Sequence, residues 1–234
     1  MSSNRRGAFT QPQSNPATKF LSWKSNEKCF SYYDKEAQAN VDLPLPLKFV
    51  VLDELSSVKG WSDSLGGQII SNEVKFISRE PMTAKCYHKN GKGEKATTEI
   101  AKGLYKDIKE KVNSAGAKYH KSVYVMLEDG TLANIQMKGA CVQKWGEFTQ
   151  KTKNRLPDEW IVVEKAVDGK KGAVKFTTPE FKFLKSLNDE EANQADECFN
   201  VLEAYLKTYL AKAEPAVEEI EVVDEEEVVD DLDF

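Results

Sequence analysis

Read for alternation and period, the chain divides into segments of distinct character. Residues 1–17 (MSSNRRGAFTQPQSNPA) are rich in Ser, Asn, Gln and Pro and show no period, which predicts a flexible N-terminal arm carrying Arg5 and Arg6. KFLSWKSNEKCFSYYDK follows, with Phe20, Trp23, Phe30, Tyr32 and Tyr33 set among lysines. LPLPLKFVVLDEL, Leu43 to Leu55, reads as a first strand with its prolines at the entry, where a missing N–H is tolerated. Two further strands are expected in QIISNEVKFISRE and PMTAKCYHKN, and the loop NGKGEKATT leads from the second into a helix. In TEIAKGLYKDIKEKVNSAG, Ile100, Leu104, Ile108 and Val112 recur near helical spacing, with Thr97 or Thr98 as a cap and Gly116 as a stop. Strand-like runs on both sides of Asp129-Gly130, in KSVYVMLEDGTLANIQMKG, predict a type I′ hairpin.

Three strands, a helix and a two-stranded hairpin is the order of an OB-fold, a five-stranded Greek-key barrel with its helix between the third and fourth strands. The expected class is mainly β with helices (α+β): an OB-fold-like five-stranded barrel with helical and hairpin extensions. A doubly wound sheet fits less well, because strands and helices do not alternate regularly. Downstream, ACVQKWGEFTQKTKNRL predicts a short helix, and EWIVVEKAVDGKKGAVKFTT a second hairpin around Asp168-Gly169. DEEANQADECFNVLEAYLKTYLAKA predicts a helix with Phe199, Leu202, Tyr205, Leu206 and Tyr209 along one side. Pro215 ends that helix. These elements cover or extend the barrel, so one domain spans 18–213, between the arm at 1–17 and a disordered acidic tail at 214–234. Phe49, Phe76, Phe181, Phe183 and Phe199 are assigned to the core.

Composition narrows the class. The 234 residues are 40% hydrophobic and 30% charged, enough to bury a core. No apolar run approaches the ~18 residues of a spanning helix, and no apolar stretch follows the N-terminal arginines, which excludes a spanning helix and a secretory signal. Cys29, Cys86, Cys141 and Cys198 lie more than fifty residues apart, without a CxxC, and His88 and His120 are the two histidines. That usage fits a reducing cytosolic compartment and gives no zinc site. Charge is more informative. Residues 214–234 hold eleven Asp and Glu and no Lys or Arg, which leaves 27 of the 38 acidic residues and all 33 basic ones in residues 1–213, a net charge of +6.

The chain lacks GxSxG, HExxH, a P-loop and a dinucleotide fingerprint; Gly91–Lys95 (GKGEK) has only two glycines and reads as a surface loop. Two isolated histidines leave little material for general-base work at neutral pH. Neither an enzymatic activity nor a cofactor is expected. Single-stranded nucleic acid, by contrast, is held by a basic groove that follows the phosphates and by aromatic faces on which bases stack. The chain repeatedly offers that mixture: Trp23 with Lys24, Lys59 with Trp61, Lys75 with Phe76, Lys85 with Tyr87 and Lys89, Lys118 with Tyr119 and Lys121, and Lys144 with Trp145. The expected capture lysines are Lys75, Lys85, Lys89, Lys92, Lys118, Lys121 and Lys138, and the expected stacking residues Trp61, Tyr87 and Tyr119. For each aromatic the alternative is core packing, and for each lysine a solvated face.

The end of the chain, VVDEEEVVDDLDF, adds to this reading. So many carboxylates cannot pack against one another and keep such a segment extended. Twenty residues reach about 70 Å, against a radius of gyration near ~17 Å for the body, so the tail can fold back over a basic groove as an internal competitor for phosphate. A terminal Phe234 joins an aromatic anchor to the α-carboxylate, a combination that a small apolar pocket rimmed by Lys and Arg recognises. An acidic tail closing DDLDF on a body of this length and element order resembles the single-stranded DNA-binding proteins of phage replication systems. It is similar in logic to their bacterial counterparts, whose Asp-rich tips end in Pro-Phe, although Asp233 stands where that proline would be. The resemblance implies sequence-independent single-stranded DNA binding in replication, recombination and repair, in the cytoplasm of a bacterial host and away from membranes. It also implies tail-mediated contact with polymerase or primase-helicase through Asp230, Asp231, Asp233 and Phe234, and in many members a homodimer.

Three other readings compete. A protein-interaction or chaperone-like module would use the tail to shield a basic partner and would have no DNA affinity. A duplex- or RNA-binding architectural protein would not need so many aromatics near loops. A nuclease would need a carboxylate cluster that the sequence does not display.

Overall fold

Strand β4 (Leu47–Ser62) organises the molecule, whose structure, a computed structural model, describes residues 14–150, 152 and 155–211. One side of β4 pairs with β8 (Ala117–Leu127) along most of its length. The other side meets β10 (Glu159–Lys171) at its start, Val74 through a single bridge at Ser56, and β5 (Gly67–Ser71) at its end. The sheet continues from β5 to β6 (Met82–Lys89) and β7 (Lys95–Gly103). On the far side it runs from β8 through β9 (Leu132–Lys138) to β1 (Lys19–Lys24), β2 (Cys29–Asp34) and β3 (Ala39–Leu43), while β11 (Val174–Ser186) pairs with β10. The β1–β9 pair is parallel.

The described residues are therefore mainly β with three α-helices, an α+β arrangement, but the sheet is open and the expected five-stranded barrel does not close. Two extra strands stand on the edges at which closure would have to occur: β1 on the outer edge of β9 and β7 on the outer edge of β6. The predicted helix is also shorter than its pattern. Residues from Lys95 to Gly103 are strand β7, paired with β6 from Lys89–Lys95 to Met82–Gly103, and α1 runs over Tyr105–Ser114 with Leu104, not Thr97 or Thr98, at its N-cap. Consecutive β-branched threonines beside an open strand edge outweigh a helical spacing carried by only two apolar residues, Ile100 and Leu104.

Both hairpins form, with turns that differ from those expected. Between β8 and β9 the loop covers 128–131; Gly130 has φ +76, Asp129 is not left-handed, and the Asp129 side chain accepts a hydrogen bond from the Thr131 N–H at 3.0 Å, so the turn is not type I′. In the second hairpin Asp168 and Gly169 lie inside the ladder, opposite Thr177 and Phe176, and the chain reverses at Gly172, φ +61. The Phe176 ring covers Gly169, where any Cβ would collide with it.

A bulge at Leu52 sets the faces of the sheet, because the β4–β8 register shifts between Val51 and Asp53. Before it, Phe49 and Val51 face the back; after it, Leu55, Lys59 and Trp61 face the front, since side chains alternate along a strand. The back holds two cores. One gathers Leu21, Phe30, Phe49, Val123, Ile135 and Ile161 beneath α2 (Ala140–Gln150) and the hairpin, with Trp145 and Phe181 inside it. The second gathers Val58, Ile69, Met82, Cys86 and Ala117 beneath Ile108 and Val112 of α1. On the front, α3 (Asp189–Ala211) sets Leu202, Tyr205 and Leu206 over Leu55, Tyr124 and Leu132. Asn15 and Ala17, at the end of the expected arm, pack here too: the Asn15 amide donates to the Tyr124 hydroxyl at 3.2 Å. Phe49 and Phe181 are core as expected, Phe183 and Phe199 are half-buried, and Phe76 is exposed on the turn after β5, where its ring lies 5.1 Å from the Arg79 guanidinium. Arg5, Arg6 and the tail at 214–234 lie outside the described residues.

Candidate nucleic-acid interface

Past α3, the front of β4, β5, β6, β7 and the start of β8 is uncovered among the described residues. Register places Trp61, Gln68, Tyr87 and Thr97 in one row across four strands, and the next row is Lys118, Lys59, Ile70, Lys85 and Glu99. Trp61 is 56% and Tyr87 51% exposed, so both present ring faces to solvent without a core to support. Gly116 secures this geometry: at φ +97 it turns the chain from α1 into β8 directly against the Trp61 backbone, and a Cβ there would strike the Trp61 carbonyl oxygen.

Most lysines of this face have no ion-pair partner among the described residues. Lys85, Lys89, Lys95, Lys102, Lys118 and Lys138 are exposed, and none makes an ion pair among the described residues. Lys59 stands directly opposite Lys118, and Lys89 opposite Lys95. Like charges in such cross-strand positions repel and work against the fold. Two carboxylates border these lysines: Glu99, opposite Lys85, and Glu73, at the edge beside α3, 4.0 Å from the Lys59 ammonium, where it accepts a hydrogen bond from Ser122 at 2.7 Å. His120, opposite Lys138, belongs to the same surface; burial, with smaller contributions from Lys59 and Lys138, holds its pKa below the ordinary histidine value against the opposing hydrogen bond to the Lys118 carbonyl.

The expected site residues are thus divided. Trp61, Lys85, Tyr87, Lys89, Lys118 and Lys138 share the front, and Lys92 lies exposed in the turn from β6 to β7 at the end of the face. Tyr119 and Lys121 do not belong with them, because odd positions of β8 face the back. The Tyr119 hydroxyl bonds Ser56 Oγ at 2.8 Å and its ring packs 5.3 Å from Tyr105, whose phenol burial pushes up to about 12. Lys121 pairs with Glu54 at 2.8 Å, and the second oxygen of that carboxylate accepts the Trp145 indole N–H. Lys75 is on the front but pairs with Asp53 at 2.7 Å beside the end of α3. Of the other aromatic–lysine combinations, Trp145 is buried, and Trp23 is half-buried with its indole donating to the Thr177 carbonyl at 2.8 Å. Lys95, Lys102 and His120 join the face although local composition does not single them out, as does Lys59, noted beside Trp61 but not among the expected capture lysines. Lys59 and His120 stand two residues from Trp61 and Lys118, Lys95 is the register partner of Lys89, and Lys102, opposite Thr83 beyond a register shift, carries no such signal.

Asp230, Asp231, Asp233 and Phe234 lie outside the described residues. No group of three or more His, Cys, Asp and Glu side chains among the described residues could hold a metal ion, and no described helix is long and apolar enough to cross a membrane. Comparison with protein-family models, curated proteins and solved structures returned no match.

Proposed function

We propose that the chain binds single-stranded DNA without sequence preference across the bare front of the sheet, as a non-enzymatic protein of a phage-type replication, recombination and repair system with an OB-like strand order at its centre. The observation that carries this reading is the exposure of Trp61 and Tyr87 on one register row between two cross-strand lysine pairs, Lys59–Lys118 and Lys89–Lys95. Two inter-strand spacings separate the rings, a distance of about 10 Å at ~4.8 Å each. That is roughly three times the 3.4 Å rise of a stacked strand, so the rings take bases that have been pulled apart. A duplex keeps its base faces inside, whereas a single strand offers them to both rings. Phosphates running beside the rings neutralise the lysine pairs and remove the repulsion.

The position of α3 supports the competing role of the tail. Its last described turn lies beside Lys75, and burial, with the nearby Glu73 carboxylate at the edge of the face, pushes the Tyr209 phenol pKa up. The acidic residues that follow therefore start next to the lysines they would occupy. When DNA displaces them, Asp230, Asp231, Asp233 and Phe234 are released to recruit replisome proteins.

The test is a fluorescence-anisotropy titration of labelled poly-dT with duplex competitor, using the full chain and a version ending at Ala213, over a range of salt. The expected result is single-strand preference, tighter binding by the shortened chain, and a salt slope of about 0.7 per phosphate contact. Absence of binding by both versions at low salt would overturn the reading in favour of an acidic-tailed protein-interaction module.

A further inference from the structure

The same charge signature occurs once more, away from the front face. At the far end of the β10–β11 hairpin Lys170 stands directly opposite Lys175, with Lys171 opposite Val174 at the turn. These lysines are exposed and make no ion pair among the described residues, whereas Lys165 and Lys182, lower on the ribbon, pair with Glu180 at 3.5 and 3.0 Å. Val174 is 66% exposed, so the tip serves no core. The tip is nevertheless a held structure. Its ladder continues to the last pair before Gly172, and the Thr177 N–H and hydroxyl donate to Ser25 Oγ and the Ser25 carbonyl, both at 2.6 Å. Lys28 reaches Asp168 at 3.4 Å. A like-charge pair on a secured ribbon costs stability continuously and has no internal use.

Position indicates its use. Ser22 of β1 lies beside Gln136 of the parallel strand β9, so Lys24 stands level with Lys138, and the β1–β2 turn that holds the ribbon begins at that edge of the lysine face. We infer that the tip of the β10–β11 hairpin, through Lys170 and Lys175, is a second phosphate-contacting site, which takes the single strand after it leaves the sheet at Lys138. The inference rests on the reading of the front face given above. The charged pair confers no base preference, since phosphates carry no sequence.

The experiment compares long oligo-dT (about 30 nucleotides) with short oligo-dT (about 6 nucleotides), lengths above and within the usual site of one such domain. It uses the parent chain, Lys170→Glu, and a Trp61→Ala/Tyr87→Ala reference. Lys170→Glu places a carboxylate opposite Lys175, so its Tm should hold or rise. Its long-oligonucleotide affinity should fall several-fold, with a salt slope smaller by roughly 1.4, the loss of two contacts. Binding of the short oligonucleotide should not change. Unchanged long-oligonucleotide binding by Lys170→Glu, with both lengths weakened in the reference, would overturn the hairpin site and leave the front-face reading standing. Equal loss at both lengths with a lowered Tm would make the tip a structural element and also overturn it. A parent chain that binds neither length would refute the underlying reading itself.

Discussion

Lys118 and Lys121 are three residues apart on one strand and have opposite roles. Lys118 faces the front with Lys59 opposite and no carboxylate partner, while Lys121 faces the back, between the two cores, held by Glu54, which also accepts the Trp145 indole. A second contrast separates Trp61, exposed beside Lys59, whose ammonium stands 4.0 Å from Glu73, from Trp145, buried beside Lys144, which pairs with Glu147 at 2.7 Å. Residue type and neighbours along the chain are alike in both regions. What differs is the face of the sheet, and with it whether a positive charge has already been satisfied. A lysine that is available for phosphate is recognised by the absence of an internal partner.

The strongest test of this contrast is the double substitution Trp61→Ala/Tyr87→Ala. Each stacked base is worth about 1–3 kcal/mol, so poly-dT affinity should drop by one to several orders of magnitude while Tm stays within a degree or two, because neither ring supports a core. Affinity loss accompanied by unfolding would mean that the front and back aromatics are not distinct in kind. Lys121→Met should do the reverse. It leaves Glu54 half-buried without its cation, an expected cost of ~2 kcal/mol in denaturant unfolding, with the salt slope of poly-dT binding unchanged. A reduced slope in a folded Lys121→Met protein would move Lys121 to the binding face. The smallest effect belongs to His120. Its native pKa is depressed, mainly by burial, so as pH falls below about 6.5 the unfolded chain takes up the proton first. Its contribution to stability is complete above that pH and declines between 6.5 and the lower native pKa. Phosphate beside it favours the protonated ring, so affinity should rise as stability declines over this window. His120→Gln should flatten both trends, and a His120→Gln protein with the parental pH profile of poly-dT binding would remove the ring from the interface.

Much of the element order is legible in the residues, because period and turn chemistry are local. Leu202, Tyr205 and Leu206 predict the packed side of α3, and VYVML and TLANIQM predict β8 and β9 with a turn between them. Strand β7 is not legible in the same way: EIAKGLYKDI has a helical spacing, and only the open edge of β6 makes the extended form of Lys95–Gly103 favourable. The second turn is misplaced for a similar reason, since an Asp-Gly pair has turn propensity, but Phe176 packed over Gly169 stabilises the ladder through it. The candidate site was visible as a set of segments rather than a surface. Lys85, Tyr87 and Lys89 alternate within one strand and land together, but the separation of Lys118 from Tyr119 and Lys121 follows from which side of β8 the cores occupy. That Lys75 is already paired with Asp53, on a distant part of β4, is beyond any local window.

The bulge at Leu52 gives β4 a parity. Odd-numbered residues build the rear core upstream of it and carry Lys59 and Trp61 to the solvent downstream, so one strand is read in two opposite phases. Deleting Leu52 alone would restore a single phase and turn the lysine and the indole inward, with Val58 outward, while changing the length of the chain by one residue. Within β4, insertions and deletions are therefore constrained more tightly than substitutions: an exchanged side chain alters one position of the face, and a lost residue inverts all of them.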